Sequence, residues 1–311
     1  QVKGNLQDYG WHYRSKEESC LKLCPQCGHS GRPQLTWLNP SIYLQTRQLL
    51  MTHWCPRYGV EILPNLTSHV ALALAVSKEL EVAIIQEHLG SYLLGSTSPD
   101  IRIITHQSRE TTHYSHLDSS ILGDGVTKLL AENPALLDAS KSSATTRAFM
   151  CGYITHLISD QIWIITMYRP YFGNREVFHD PTLANIWDRA LQLELDRQDR
   201  PAWNETVCEL KTATQGVEIP FISLTNLEQW SEWIGEYARG DFSWERLASL
   251  ARRQSGADET VVAEAVEKFL SDIPTGLEKI FSKLGRDNLA AYRARAIQGS
   301  LQSIQTFLGV K

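Results

Sequence analysis

The sequence predicts an all-α fold, a multi-helix bundle preceded by a poorly structured N-terminal extension. Apolar residues recur at helical spacing from Leu66 to the C-terminus, and the one stretch of extended character, IRIITHQ, stands alone. No repeat of fixed period and no low-complexity tract interrupts the pattern. Residues 1–62 differ: they begin with Gln, are crowded with Trp, Cys, His, Arg and Pro, and show no sustained period. They are expected to be a disordered extension or translated upstream sequence, with Leu63 at the position of an alternative start codon and Pro64 exposed by removal of the initiator. Residues 63–311 are then the helical domain.

Taken in order, Leu66, Val70, Ala73, Leu74, Leu80 and Ile84 define a helix from Leu66 to about His88, after Pro64 and with Thr67 as a candidate cap. In LGSYLLGSTSPD, Gly90, Gly95 and Pro99 punctuate a turn that delivers Asp100 to a helix end or loop. Residues 117–138 read as a helix weakened at Gly123-Asp124-Gly125 and closed by a Pro134 turn. A long helix follows from about Lys141 to Arg169, with Pro170 as its stop. Its faces are apolar all round, so it belongs inside the bundle. Further helices are expected at about 182–198, 203–213, 225–238, 243–253, 258–272 and 274–308, with Trp187, Trp203, Trp230, Trp233 and Trp244 assigned to packing.

At 311 residues the chain can bury a large core, and its net charge of −5 without a long basic run argues against dedicated nucleic-acid binding. The longest apolar stretches are too short and too interrupted to span a bilayer, and the first residues lack the apolar centre of a signal peptide, so a cytoplasmic protein is expected. Of six cysteines, Cys20, Cys24, Cys27 and Cys55 fall early. CPQCGH has a Cys-x-x-Cys knuckle, but no second such pair completes a zinc ribbon. Cys151 and Cys208 are expected to be buried free thiols.

The chemistry concentrates in GYITHLISDQIW, residues 152–163, where His156 and Asp160 stand four apart in one helix. Side chains at that spacing share a face and can converge on one metal ion, although a hydrogen-bonded pair that merely stabilises the helix fits the same spacing. His69, Asp100 and His113 extend the set to an oxygen-and-nitrogen site suited to zinc or another borderline divalent ion. His116, Asp118, Glu110 and Arg109 are ambiguous between supporting a ligand and facing solvent, with a surface ion pair the simpler reading for Arg109. His88, His106 and His179 read as structural.

The segments LPNLTSHVALALAVSKEL, LGSYLLGSTSPDIRIITHQSRETTHYSHLD and GYITHLISDQIW, in this order, resemble the bacterial zinc-dependent phospholipase C family. More distantly they resemble secreted phospholipases C and single-strand-specific zinc nucleases. The resemblance runs from about Leu63 to Trp163 and implies the all-α bundle of the phospholipase C and zinc nuclease type. It makes Asp100, His113, His156 and Asp160 ligands of the main metals, with Asp160 a candidate bridge. His69 matches the ligand near the start of the domain, which in the secreted relatives shares its zinc with the free N-terminal residue. Those relatives hold another zinc with a further His and a later His-x-x-x-Glu or His-x-x-x-Asp. Here the only histidine after His156 is His179, without such a motif, so one or two zinc ions are expected rather than three.

The function this implies is metal-dependent hydrolysis of a phosphodiester, phospholipase C-like, with a phospholipid head-group bond as the default substrate. Asp100 serves as a ligand or as the base that takes the proton from the attacking water. The alternative is a non-catalytic helical protein that binds metal for structure or interaction. A third reading makes residues 20–55 a zinc ribbon that binds nucleic acid or protein.

Overall fold

The computed structural model describes residues 66–252 and 258–310. The extension at 1–62, the cysteines Cys20, Cys24, Cys27 and Cys55, and Leu63 and Pro64 lie outside the described residues. Among the described residues the regular structure is entirely helical, as the sequence predicts, and no helix is long and apolar enough to cross a membrane.

Helix α1 (Leu66–Leu80) opens the fold, followed by short α2 (Ala83–Glu87) and α3 (Leu89–Gly95). The single predicted helix to His88 is therefore interrupted: Glu81 adopts a positive φ of 48°, which a helix cannot continue through. Thr67 lies inside the first turn of α1, not at its cap. The glycines of LGSYLLG also depart from expectation, because they lie within α3 and not in a turn. Their function is close approach. A Cβ on Gly95 would lie 2.0 Å from the Phe149 carbonyl oxygen, and one on Gly152 would lie 1.8 Å from that of Tyr92. Only glycine at both positions lets α3 press its backbone against α7 (Ala144–Trp163).

Between these partners the chain makes a 3₁₀ turn at Ser98–Ile101, with Pro99 inside it, then α4 (Arg102–Thr105) and α5 (Arg109–His113). The extended segment expected at IRIITHQ is thus helical: Ile101 is wholly buried, and the Arg102 carbonyl accepts the amide of left-handed His106. The helix expected at 117–138 contracts to α6 (Asp124–Glu132) and a 3₁₀ turn at Pro134–Leu137.

Helix α7 is the central helix of the described residues. Ser143 caps it by accepting from the Thr146 amide, and every residue from Ala148 to Trp163 is buried. Pro170 does not stop it; the chain continues as a π-helical segment, Ile164–Phe172, that contains the proline and ends at Gly173. The wider π winding spares the carbonyl that proline would oppose in an α-helix.

The C-terminal half wraps this helix. Helix α8 (Pro181–Thr206) merges two predicted helices and carries Pro201 within it, followed by a 3₁₀ segment at Val207–Thr212. Then come α9 (Leu224–Arg239), α10 (Arg246–Arg252), α11 (Glu259–Ser271), α12 (Ile273–Leu284) and α13 (Arg286–Leu308). The helix expected at 274–308 divides at Gly285, whose φ of 76° suits glycine. Helix α13 packs on α7 and α1, and α8 packs on α1. Trp163 and Tyr292 meet edge to face at 5.0 Å, and the Trp163 indole N–H donates to Asp188 at 3.2 Å. Arg293 donates to both oxygens of Asp199 at 2.8 and 2.9 Å. Trp203 and Trp230 are core residues, as expected, and Cys151 is a buried thiol. Cys208 is exposed, contrary to the sequence reading.

Candidate metal centre

Four separate elements deliver the five candidate side chains to one place. His69 comes from the first turn of α1, Asp100 from the 3₁₀ turn, His113 from the last position of α5, and His156 and Asp160 from the middle of α7. Within α7 the spacing of four puts His156 Nε2 3.5 Å from Asp160 Oδ2. His113 Nε2 lies 3.2 Å from the same oxygen, and His69 Nε2 lies 3.3 Å from Asp160 Oδ1. Asp100 Oδ1 stands 3.7 Å from His113 Nε2.

Each imidazole is oriented by a partner on its outer nitrogen. His156 Nδ1 donates to the Ser96 carbonyl at 2.8 Å, which ties α7 to the segment entering the Asp100 turn. Ser159 Oγ gives its own proton to the His156 carbonyl, so at 3.1 Å it accepts from His69 Nδ1. Thr112 Oγ1 donates to the Arg109 carbonyl and accepts from His113 Nδ1 at 2.9 Å. With Nδ1 protonated in all three rings, the inward Nε2 atoms are left as lone pairs. His113 and His156 then face each other Nε2 to Nε2 at 3.3 Å, and the rings of His69 and His156 stack at 3.8 Å.

Two lone pairs at that distance beside two carboxylates call for positive charge between them, which a proton on His156 or a bound cation supplies. Two ligands bound at about 2.0–2.1 Å to a tetrahedral zinc lie about 3.3 Å apart. The measured separations of 3.2–3.7 Å match that spacing, and the donor set is the nitrogen-and-oxygen type zinc accepts. The residues present therefore fit the ion. Among the described residues, two groupings have their donor atoms within 4.8 Å of one another: His69, Asp100 and His156, and His113, His156 and Asp160. They share His156.

The electrostatics agree with this geometry. Burial pushes the His113 imidazole well below the ordinary histidine range, and nearby Arg109 adds to that effect, keeping the ring neutral. Burial acts on His156 in the same direction, but Asp160 and Asp100 outweigh it and its pKa is raised. Burial would raise Asp160, yet the close approach of His156 first, and of His113 and His69, holds its carboxyl well below the usual range. The cluster thus keeps one carboxylate ionised in a site where solvent scarcely reaches.

Solvent does touch one side. The side chains of His69, His113, His156 and Asp160 are at most 1% exposed, whereas Asp100 retains 10% and Arg109 8%. Arg109 is not in a surface ion pair: it is buried, and its Nη2 donates to Asp160 Oδ2 at 3.3 Å. Its place one turn before His113, at the same four-residue spacing as His156 and Asp160, is the sequence signal that points to the cluster. By contrast His116, 3.7 Å from Glu110, and Asp118 face solvent. His106 and His179 are exposed and half-buried His88 meets Thr145, so none of them joins the cluster. The orienting groups Ser96, Thr112 and Ser159 carry no signal in the sequence, since one acts through a backbone carbonyl and the others are ordinary hydroxyls.

Comparison of the chain with curated proteins and with solved structures finds no match. Residues 64–175, which contain all five residues of the cluster, match the family model described as zinc dependent phospholipase C.

Proposed function

We propose that the protein is a zinc-dependent phosphodiester hydrolase of the phospholipase C type, with His69, Asp100, His113, His156 and Asp160 holding one or two zinc ions. The observation that carries the reading is the convergence of three imidazole Nε2 atoms on Asp160, at separations suited to a common ion. When bound, the metal supplies a lowered pKa for water and positive charge beside a phosphoryl oxygen. The chain supplies the rest. Ser96, Thr112 and Ser159 fix the tautomers of the three histidines, and burial keeps His113 unprotonated and available. Asp160 turns one oxygen toward His69 and the other toward His113 and His156, so it would hold one ion or serve two as a shared ligand. Asp100, at the solvent-touched edge, accepts a proton from the attacking water or serves as a ligand. The products are a phosphomonoester and an alcohol. The match of residues 64–175 to the zinc dependent phospholipase C family model supports a phospholipid head-group bond as substrate.

The test is hydrolysis of bis-para-nitrophenyl phosphate and of phosphatidylcholine in mixed micelles by the zinc-loaded protein and by His156→Ala. Turnover in the wild type that the variant lacks supports the reading. Tightly bound zinc without turnover on either substrate would contradict it. That outcome would favour a structural metal site, a reading for which the deep burial of four of the five side chains speaks.

A further inference from the structure

Arg109 is a buried cation whose hydrogen bonds are unfinished. Nη2 reaches Asp160 at 3.3 Å, but among the described residues neither Nε nor Nη1 has a hydrogen-bond partner, although both are shielded from solvent. Unpaired buried donors on a charged group are costly, so such a side chain is retained where something else completes it. Its position narrows the choice. With Asp100 it forms the part of the cluster that solvent touches, so a substrate arriving at the site meets these two side chains first.

Charge sets the sign of the missing partner. Against the carboxylates of Asp100 and Asp160, a single divalent ion together with Arg109 leaves an excess of one positive charge, and two ions leave an excess of three. A guanidinium also offers its donors as a planar fork that matches two oxygens of a phosphoryl group.

Resting on the metal-dependent hydrolase reading above, we infer that Arg109 is the phosphate clamp of this site. Nη1, together with the second Nη2 proton, forms the edge of the fork that donates to non-bridging oxygens of a phosphodiester or phosphate held at the metal cluster, while the other Nη2 proton keeps its bond to Asp160. The clamp places the phosphorus atom beside Asp100 and offsets the charge that grows on the phosphoryl oxygens as water attacks. A purely supporting role, in which Arg109 only steadies Asp160, would act on metal affinity instead.

The two roles separate in one experiment on the full chain: zinc content by mass spectrometry, and binding of inorganic phosphate to the zinc-loaded protein by calorimetry. Arg109→Gln is expected to retain zinc at the wild-type stoichiometry and to bind phosphate roughly ten- to a hundredfold more weakly, the loss expected for charge-assisted hydrogen bonds. Arg109→Lys, which keeps the charge without the fork, should fall between the two. Unchanged phosphate affinity in Arg109→Gln, or loss of its zinc, would overturn the clamp while leaving the hydrolase reading standing. Failure of the wild-type protein to take up zinc would overturn both.

Discussion

His156 donates its Nδ1 proton to the carbonyl of Ser96 at 2.8 Å, and this bond fixes the direction of the lone pair that faces Asp160 one turn along α7. The contact joins the central helix to the segment that turns into Asp100, so ligand orientation depends on how closely α3 and α7 approach. The approach depends in turn on two glycines.

Gly152→Ala would set a methyl group 1.8 Å from the Tyr92 carbonyl oxygen and force α3 away from α7. A cost of at least about 3 kcal/mol is expected, together with weaker zinc binding as the Ser96 carbonyl withdraws from His156. Thermal unfolding and zinc titration of the variant check both effects. A variant with wild-type stability and zinc affinity would contradict the link between helix approach and site geometry.

Asp160→Asn replaces an acceptor facing three imidazole nitrogens with a group half of which donates. Zinc affinity should fall by more than the roughly 10- to 100-fold typical of changes outside the ligand shell. Equilibrium dialysis against a zinc buffer measures it.

Ser159→Ala removes the acceptor that holds the His69 ring, at little cost in volume. A loss of roughly 10- to 100-fold in zinc affinity is expected, with the helical circular dichroism unchanged. Wild-type affinity in this variant would show that the His69 tautomer does not matter.

Asp188 gives a pH signature away from the cluster. Burial pushes its carboxyl up to about 6, against the opposing effects of Arg189, Gln192 and Trp163. A raised folded pKa means that folding favours the protonated form. The contribution is fully present below the unfolded value of about 3.9 and is lost as pH rises through about 6. Relative to Asp188→Asn, the wild-type protein should therefore gain stability as pH falls from 7 to 4, by about 3 kcal/mol at most. Urea unfolding of both proteins across that range reads the difference, and a constant gap between them would contradict it.

Much of the site is legible in the sequence because the relevant signals are local. The four-residue spacing of His156 and Asp160 in an apolar helix states their common face directly, and Pro99 marks the turn that presents Asp100. Long-range packing carries no such mark. Gly90 and Gly95 look like turn residues until α7 and the segment after α8 are seen lying against their helix. Pro170 looks like a helix stop, although a π-helical winding takes it in. Arg109 has the composition of a surface residue, and its burial is decided by α7 folding over it and bringing Asp160 to its guanidinium. The element breaks at Glu81 and Gly285 are single backbone conformations within otherwise helical patterns.

The central claim is that this cluster of histidine and aspartate holds zinc, and zinc X-ray absorption spectroscopy of the zinc-loaded full chain tests it most directly. The account predicts a shell of nitrogen and oxygen at about 2.0–2.1 Å with the outer scattering of several imidazoles, abolished in Asp160→Asn. Absence of bound zinc, or a shell made of sulfur alone at about 2.3 Å, would contradict it.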